Sequence, residues 1–207
     1  MVTETQSSQV NSSCERERNL TVGASPVVKS STQEARAQQS DLLARYQVQV
    51  LGQKEASFVI PAGTSRLDFL KQAHVASCAV DPFRRVAQQD QVERWERDPM
   101  FYKPVACDTA VSVDCLVEGS SGMTRGEQAL FLKERGLKMA NLADIACAHA
   151  AILLATEGRD AFRDRLRSHT VRGEGGQIIA TCAGLTEKAF FVHDSQAHPA
   201  LMAASYR

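Results

Sequence analysis

The run Asn141-Leu142-Ala143-Asp144-Ile145-Ala146-Cys147-Ala148-His149-Ala150-Ala151-Ile152-Leu153-Leu154-Ala155-Thr156 decides the fold. Its apolar residues cover nearly every side of a helix from Leu142 to Glu157, and a helix apolar all round belongs at the centre of a core. Asn141 and Asp144 supply the polar start and Gly158 the stop. Asp144 and His149 interrupt the run, which falls short of the roughly 20 apolar residues a bilayer requires, so no membrane span is expected.

Upstream, Thr124-Arg125-Gly126-Glu127 has the spacing of a capping box, and Gly136 suits a left-handed terminator for the helix between them. Thr109, Val111, Val113, Cys115 and Val117 fall on one face of a strand. Asp81-Pro82 predicts the start of a helix over Pro82 to Glu96, which Asp98-Pro99 stops. Before it, Tyr46, Val48 and Val50 alternate with glutamines, and a second run, Ser57 to Ile60, follows Gly52 and ends at Pro61; together they read as a hairpin. Thr64 or Ser65 then caps a helix reaching about Ala79, with Leu67, Phe69, Leu70 and Ala73 inward. This hairpin-then-helix order resembles the opening of ubiquitin-like folds, a likeness of element order over about a fifth of the chain.

Downstream, a short basic helix is expected from Asp160 to Arg167, then Gly173, Gly175 and Gly176, then a second hairpin from Gln177 to Cys182 and Ala189 to His193. Residues 1–44 are rich in Ser, Thr and Gln without a burying period and read as a disordered tail. The expectation is therefore one α+β domain over residues 45–207: an N-terminal β-hairpin, several helices around a central apolar helix, and a C-terminal β-hairpin, preceded by that tail.

The chain has 207 residues, 43% of them hydrophobic and 23% charged, a composition that folds. Lys plus Arg and Asp plus Glu are 24 each, so no global field steers the molecule toward nucleic acid or a membrane. The first 20 residues lack the apolar centre of a secretory signal, which places the chain in the cytoplasm. The Ser/Thr/Gln-rich leader resembles in composition the unstructured export signals of some bacterial secreted effectors, which implies an export role for it. Six cysteines at wide, irregular spacings read as reduced thiols, and no cofactor is expected.

Several side chains invite chemistry. Cys147 and His149, two positions apart on a helix, point about 200° away from each other and read as core residues. His74 and Cys78, four apart, share a helix face where a base could meet a thiol. His193, Asp194 and His198 lie close together after the last strand, and Cys182 on the neighbouring strand could complete a zinc set; these two groups make a metal- or Cys/His-dependent hydrolase the alternative function. Arg172-Gly173-Glu174-Gly175-Gly176 lacks the lysine and hydroxyl of a phosphate loop and reads as a turn.

No coherent nucleophile or acid/base set emerges, and the leading expectation is a small binding or regulatory protein working through contacts with another protein. Its expected contact surfaces are the arginines Arg159, Arg163, Arg165, Arg167 and Arg172, partly neutralised by Asp160, Asp164 and Glu174, and the helix carrying Trp95. A phosphate or nucleic-acid role for the arginines ranks third.

Overall fold

The computed structural model describes residues 26–52, 54–80, 86, 89–156, 170–172, 177–182, 186–191 and 201–207. Helices accompany an antiparallel five-stranded sheet, and the fold is α+β. Helix α1 (Pro26–Arg45) leads into strands β1 (Gln49–Leu51) and β2 (Glu55–Ile60), then helices α2 (Arg66–Val80), α3 (Gln89–Trp95) and α4 (Pro99–Tyr102). Strand β3 (Thr109–Asp114), helix α5 (Arg125–Glu134), strand β4 (Lys138–Met139) and helix α6 (Leu142–Ala155) follow. Five further strands complete the order: β5 (Thr170–Arg172), β6 (Gln177–Cys182), β7 (Thr186–Phe191), β8 (Leu201–Ala203) and β9 (Ser205–Tyr206).

The five-stranded sheet runs β1-β2-β3-β9-β4. Period-two burial along β2 turns Ala56, Phe58 and Ile60 inward and leaves Glu55, Ser57 and Val59 on the opposite face. β2 pairs with β3 so that Phe58 lies opposite Val111 and Ser57 opposite Ser112, which carries the same alternation across the ladder. β1 pairs antiparallel with β2, and β6 with β7. The second sheet runs β7-β6-β5-β8.

Every residue of α6 from Ala143 to Leu154 is buried. Asn141 caps it, its side-chain oxygen accepting the Asp144 amide at 2.8 Å. Ala150, Ala151 and other small side chains allow close approach of α1, α2 and the inner face of β2 and β3. Phe69 of α2 meets Tyr46 at 4.7 Å and Phe58 at 5.9 Å between ring centroids, joining helix, linker and sheet. The capping box of α5 is formed: the Thr124 hydroxyl accepts the Glu127 amide at 3.3 Å and the Glu127 carboxylate accepts the Thr124 amide at 2.7 Å. Gly136 adopts φ 69° where α5 ends.

Three expectations are corrected. The tail does not extend to residue 44, because α1 buries Ala35, Gln39 and Leu42 ahead of Tyr46. Its inward positions are mostly small or polar, which is why the period escapes a hydropathy reading: Gln39 is buried because its Nε2 donates to the Leu154 carbonyl at the end of α6. Asp98-Pro99 does not only stop a helix. It starts α4, the Asp98 carboxylate accepting the Met100 amide at 2.9 Å with proline in the first turn. Beyond the hairpin and α2, the element order departs from the ubiquitin-like opening, since α1 precedes the hairpin and β3 returns beside β2. The expected tail over residues 1–25, the basic helix over 160–167 and part of the helix over 82–96 lie outside the described residues. Among the described residues no helix is long and apolar enough to cross a membrane.

Candidate functional site

Trp95 is 4% exposed and stacks on Phe101, with centroids 5.0 Å apart and planes 11° from parallel. That corrects its assignment to a contact surface: the indole fills the core beneath α4. Arg159, Arg163, Arg165 and Arg167 lie outside the described residues, as do His193, Asp194 and His198. Arg172 falls in β5 and Cys182 at the end of β6. No group of three side chains able to hold a metal ion forms among the described residues.

The second helix does bring His74 and Cys78 together, with Nε2 and Sγ 3.8 Å apart. Cys147 and His149 are both buried within α6. Burial pushes the Cys147 thiol well above its ordinary value, the Asp144 carboxylate adds to the shift, and Arg66 opposes it. A thiol held protonated in this way is not a nucleophile.

The main polar cluster joins the starts of α2 and α6 to the last strand. Asp144 in the first turn of α6 accepts Arg66 Nε at 2.5 Å through Oδ1. Its Oδ2 accepts the Tyr206 hydroxyl and Asn141 Nδ2, each at 2.7 Å. The Tyr206 oxygen in turn accepts the Asn141 backbone amide at 3.1 Å and Asn141 Nδ2 at 2.6 Å. Burial raises the Tyr206 pKa far above the usual phenol value, and the hydroxyl remains a donor. Every Asp144 oxygen is therefore occupied, at 3% side-chain exposure, and the group acts as a clamp.

A different feature faces outward. A cleft of about 460 Å³ lies between α1 and α2, lined by Gln38, Asp41, Leu42 and Arg45 on one wall and Lys71, Gln72, Val75 and Ala76 on the other. Its surface is more apolar than polar, and Val75 stands 66% exposed at it. The two walls are fixed by the core below them: Leu42 and Ala76 are buried, and Gln72 Nε2 donates to the Tyr46 hydroxyl at 3.1 Å. Lys71 pairs at the surface with Glu96. Sequence reasoning missed this groove because one wall falls within the residues assigned to the tail. The available signal was the spacing of Ala35, Gln39, Leu42 and Tyr46 at intervals of four, three and four.

Comparison of the chain with protein-family models, with curated proteins and with solved structures finds no match in any of the three.

Proposed function

We propose that the protein is a small binding or regulatory module that acts through contacts with another protein, and that the groove between α1 and α2 is its main contact surface. The observation that carries this reading is a lining in which the buried Leu42 and Ala76 and the exposed Val75 lie among the exposed polar and charged Gln38, Asp41, Arg45 and Lys71 and the half-buried Gln72. An apolar centre inside a polar rim is the anatomy of a protein interface. A small-molecule site, by contrast, encloses most of its ligand and aims several polar groups at it. This groove is open, and its charged residues Asp41, Arg45 and Lys71 are exposed. The occupant that fits is one ridge of an amphipathic helix, packing as a third helix against α1 and α2.

The arginines at 159, 163, 165, 167 and 172 would add a charged contact to that surface. A cytoplasmic chain of balanced charge suits such a role, since its partner is then selected by shape and local charge.

Substituting Val75→Arg places a charge over the groove at a position already largely exposed, so the domain keeps its fold. Leu130→Arg adds the same charge on α5, at a residue 55% exposed. In affinity capture from the source organism, the proteins retained by the wild type should be lost with Val75→Arg and kept with Leu130→Arg. Retention of the full set by Val75→Arg removes the groove from the reading.

A further inference from the structure

The surroundings of four cysteines are described, and they are of three kinds. Cys115 and Cys147 are fully buried, Cys107 is exposed, and Cys78 is half-buried. Cys78 Sγ stands 3.8 Å from His74 Nε2, within reach of a sulfur hydrogen bond. The two residues stand one turn apart on the same face of α2, so a rigid fifteen-residue helix sets their separation. The Nδ1 atom of His74 is buried, and Nε2 is the ring atom that faces the sulfur.

From this pair we propose that Cys78 is a modification site, a thiol that His74 prepares for attack on a small peroxide. The Cys78 thiol gives its proton to His74 Nε2, and the sulfur attacks one peroxide oxygen. An S–O bond forms as the O–O bond breaks. The departing hydroxide takes the proton from the imidazolium and leaves as water. Sulfur is oxidised to the sulfenic acid and the peroxide is reduced, with no other reactant. Cys78 lies in the last turn of α2, where the helix C-terminus opposes a thiolate, an effect smaller than the contribution of an adjacent imidazolium. This site lies at the margin of the core on α2 and is independent of the groove reading.

The test uses the full chain with hydrogen peroxide as oxidant, a sulfenic-acid-selective dione as trap, and peptide mass spectrometry to read each cysteine separately. Cys107 serves as an exposed comparator in the same molecule. Cys78 should label faster than Cys107, and His74→Ala should slow Cys78 by about tenfold or more while leaving Cys107 unchanged. His74→Gln, which keeps a polar group of similar size but cannot hold the proton, should behave like His74→Ala. Unfolding would expose Cys115 and Cys147 and make them label, so their silence certifies the variants; if His74→Ala unfolds, His74→Gln decides. Labelling of Cys78 no faster than Cys107, or unchanged in the folded His74 variant, overturns the assignment.

Discussion

Replacing Asp144 by asparagine keeps the shape of the clamp at the start of α6 and removes its charge. The carboxylate accepts three side-chain donors: Arg66 at Oδ1, and Tyr206 and Asn141 at Oδ2. An amide has one acceptor oxygen. If that oxygen serves Tyr206 and Asn141, the new NH₂ group faces the Arg66 N–H, and the guanidinium loses its countercharge at 17% side-chain exposure. Breaking a buried pair by removing one partner costs about 3–5 kcal/mol. Because Arg66 retains some contact with water, the lower end applies, about 3 kcal/mol, which for a domain of this size lowers the melting temperature by about 10 °C. The chain has a single tryptophan, Trp95, stacked in the core, so its fluorescence reports urea unfolding directly. Pairing Asp144→Leu with Arg66→Met tests the electrostatic part of the argument: the double variant should lose less than the sum of the single losses by at least about 1 kcal/mol. A loss below about 1 kcal/mol for Asp144→Asn, with unchanged urea dependence, refutes the claim that the clamp holds the fold.

Three further outcomes follow from local geometry. Gln47, two residues past the end of α1, has φ 49°, with the Val48 amide donating to the Leu43 carbonyl and the Gln47 amide to the Ala44 carbonyl; Gln47→Gly should stabilise the protein by about 0.5–1 kcal/mol in urea melts, and any destabilisation would contradict the left-handed cap. Tyr206, Tyr46 and Cys147 all bind their protons more tightly when folded, chiefly through burial. Their contribution is complete below the ordinary values of 9.0 for the thiol and 10.0 for the phenols, and is lost as pH rises above them, so stability should decline in alkali; Tyr206→Phe should flatten that decline, and an unchanged slope would remove Tyr206 from the account. Thr124→Ala opens the capping box of α5 and should cost about 1 kcal/mol. The Thr124 backbone and side-chain hydrogen bonds hold the Glu127 pKa below its ordinary 4.5, so the wild-type contribution is present above that value and fades as pH falls through the folded one; in the variant, NMR titration should find the Glu127 pKa higher, and an unmoved value would contradict the box.

Much of the fold was legible where one local signal dominates its surroundings. The Thr124-Arg125-Gly126-Glu127 spacing carries its own hydrogen bonds, and Gly136 carries its own backbone angle, so neither depends on distant contacts. α1 was not legible, because what buries it is supplied from elsewhere: Gln39 meets the Leu154 carbonyl more than a hundred residues away, and no hydropathy pattern announces a glutamine as a core residue. β9 is two residues long and gains its place from pairing with β3 and β4. The clamp has the same origin: Arg66, Asp144 and Tyr206 are 78 and 62 positions apart, and none has a suggestive neighbour in sequence. The His74 and Cys78 pair was legible because both residues lie on one helix, whereas the groove requires two helices to be placed side by side.

The clamp and the groove are linked through α2. Arg66 opens that helix and is tied to Asp144, while Phe69 packs on Tyr46 and Gln72 donates to the same tyrosine. The first two turns of α2 are thus held from both sides, by α6 below and by the end of α1 beside it, and Val75 and Ala76 continue the same helix into the groove wall. A groove whose walls are fixed before a partner arrives spares the ordering that binding would otherwise demand. Weakening the clamp by Asp144→Asn should therefore lower partner affinity even though Asp144 is buried and does not line the groove, and Val75→Arg should abolish capture with stability intact. Loss of stability without loss of affinity in the first variant would mean that the groove walls are set by the contacts of Tyr46 with Phe69 and Gln72 and not by the clamp.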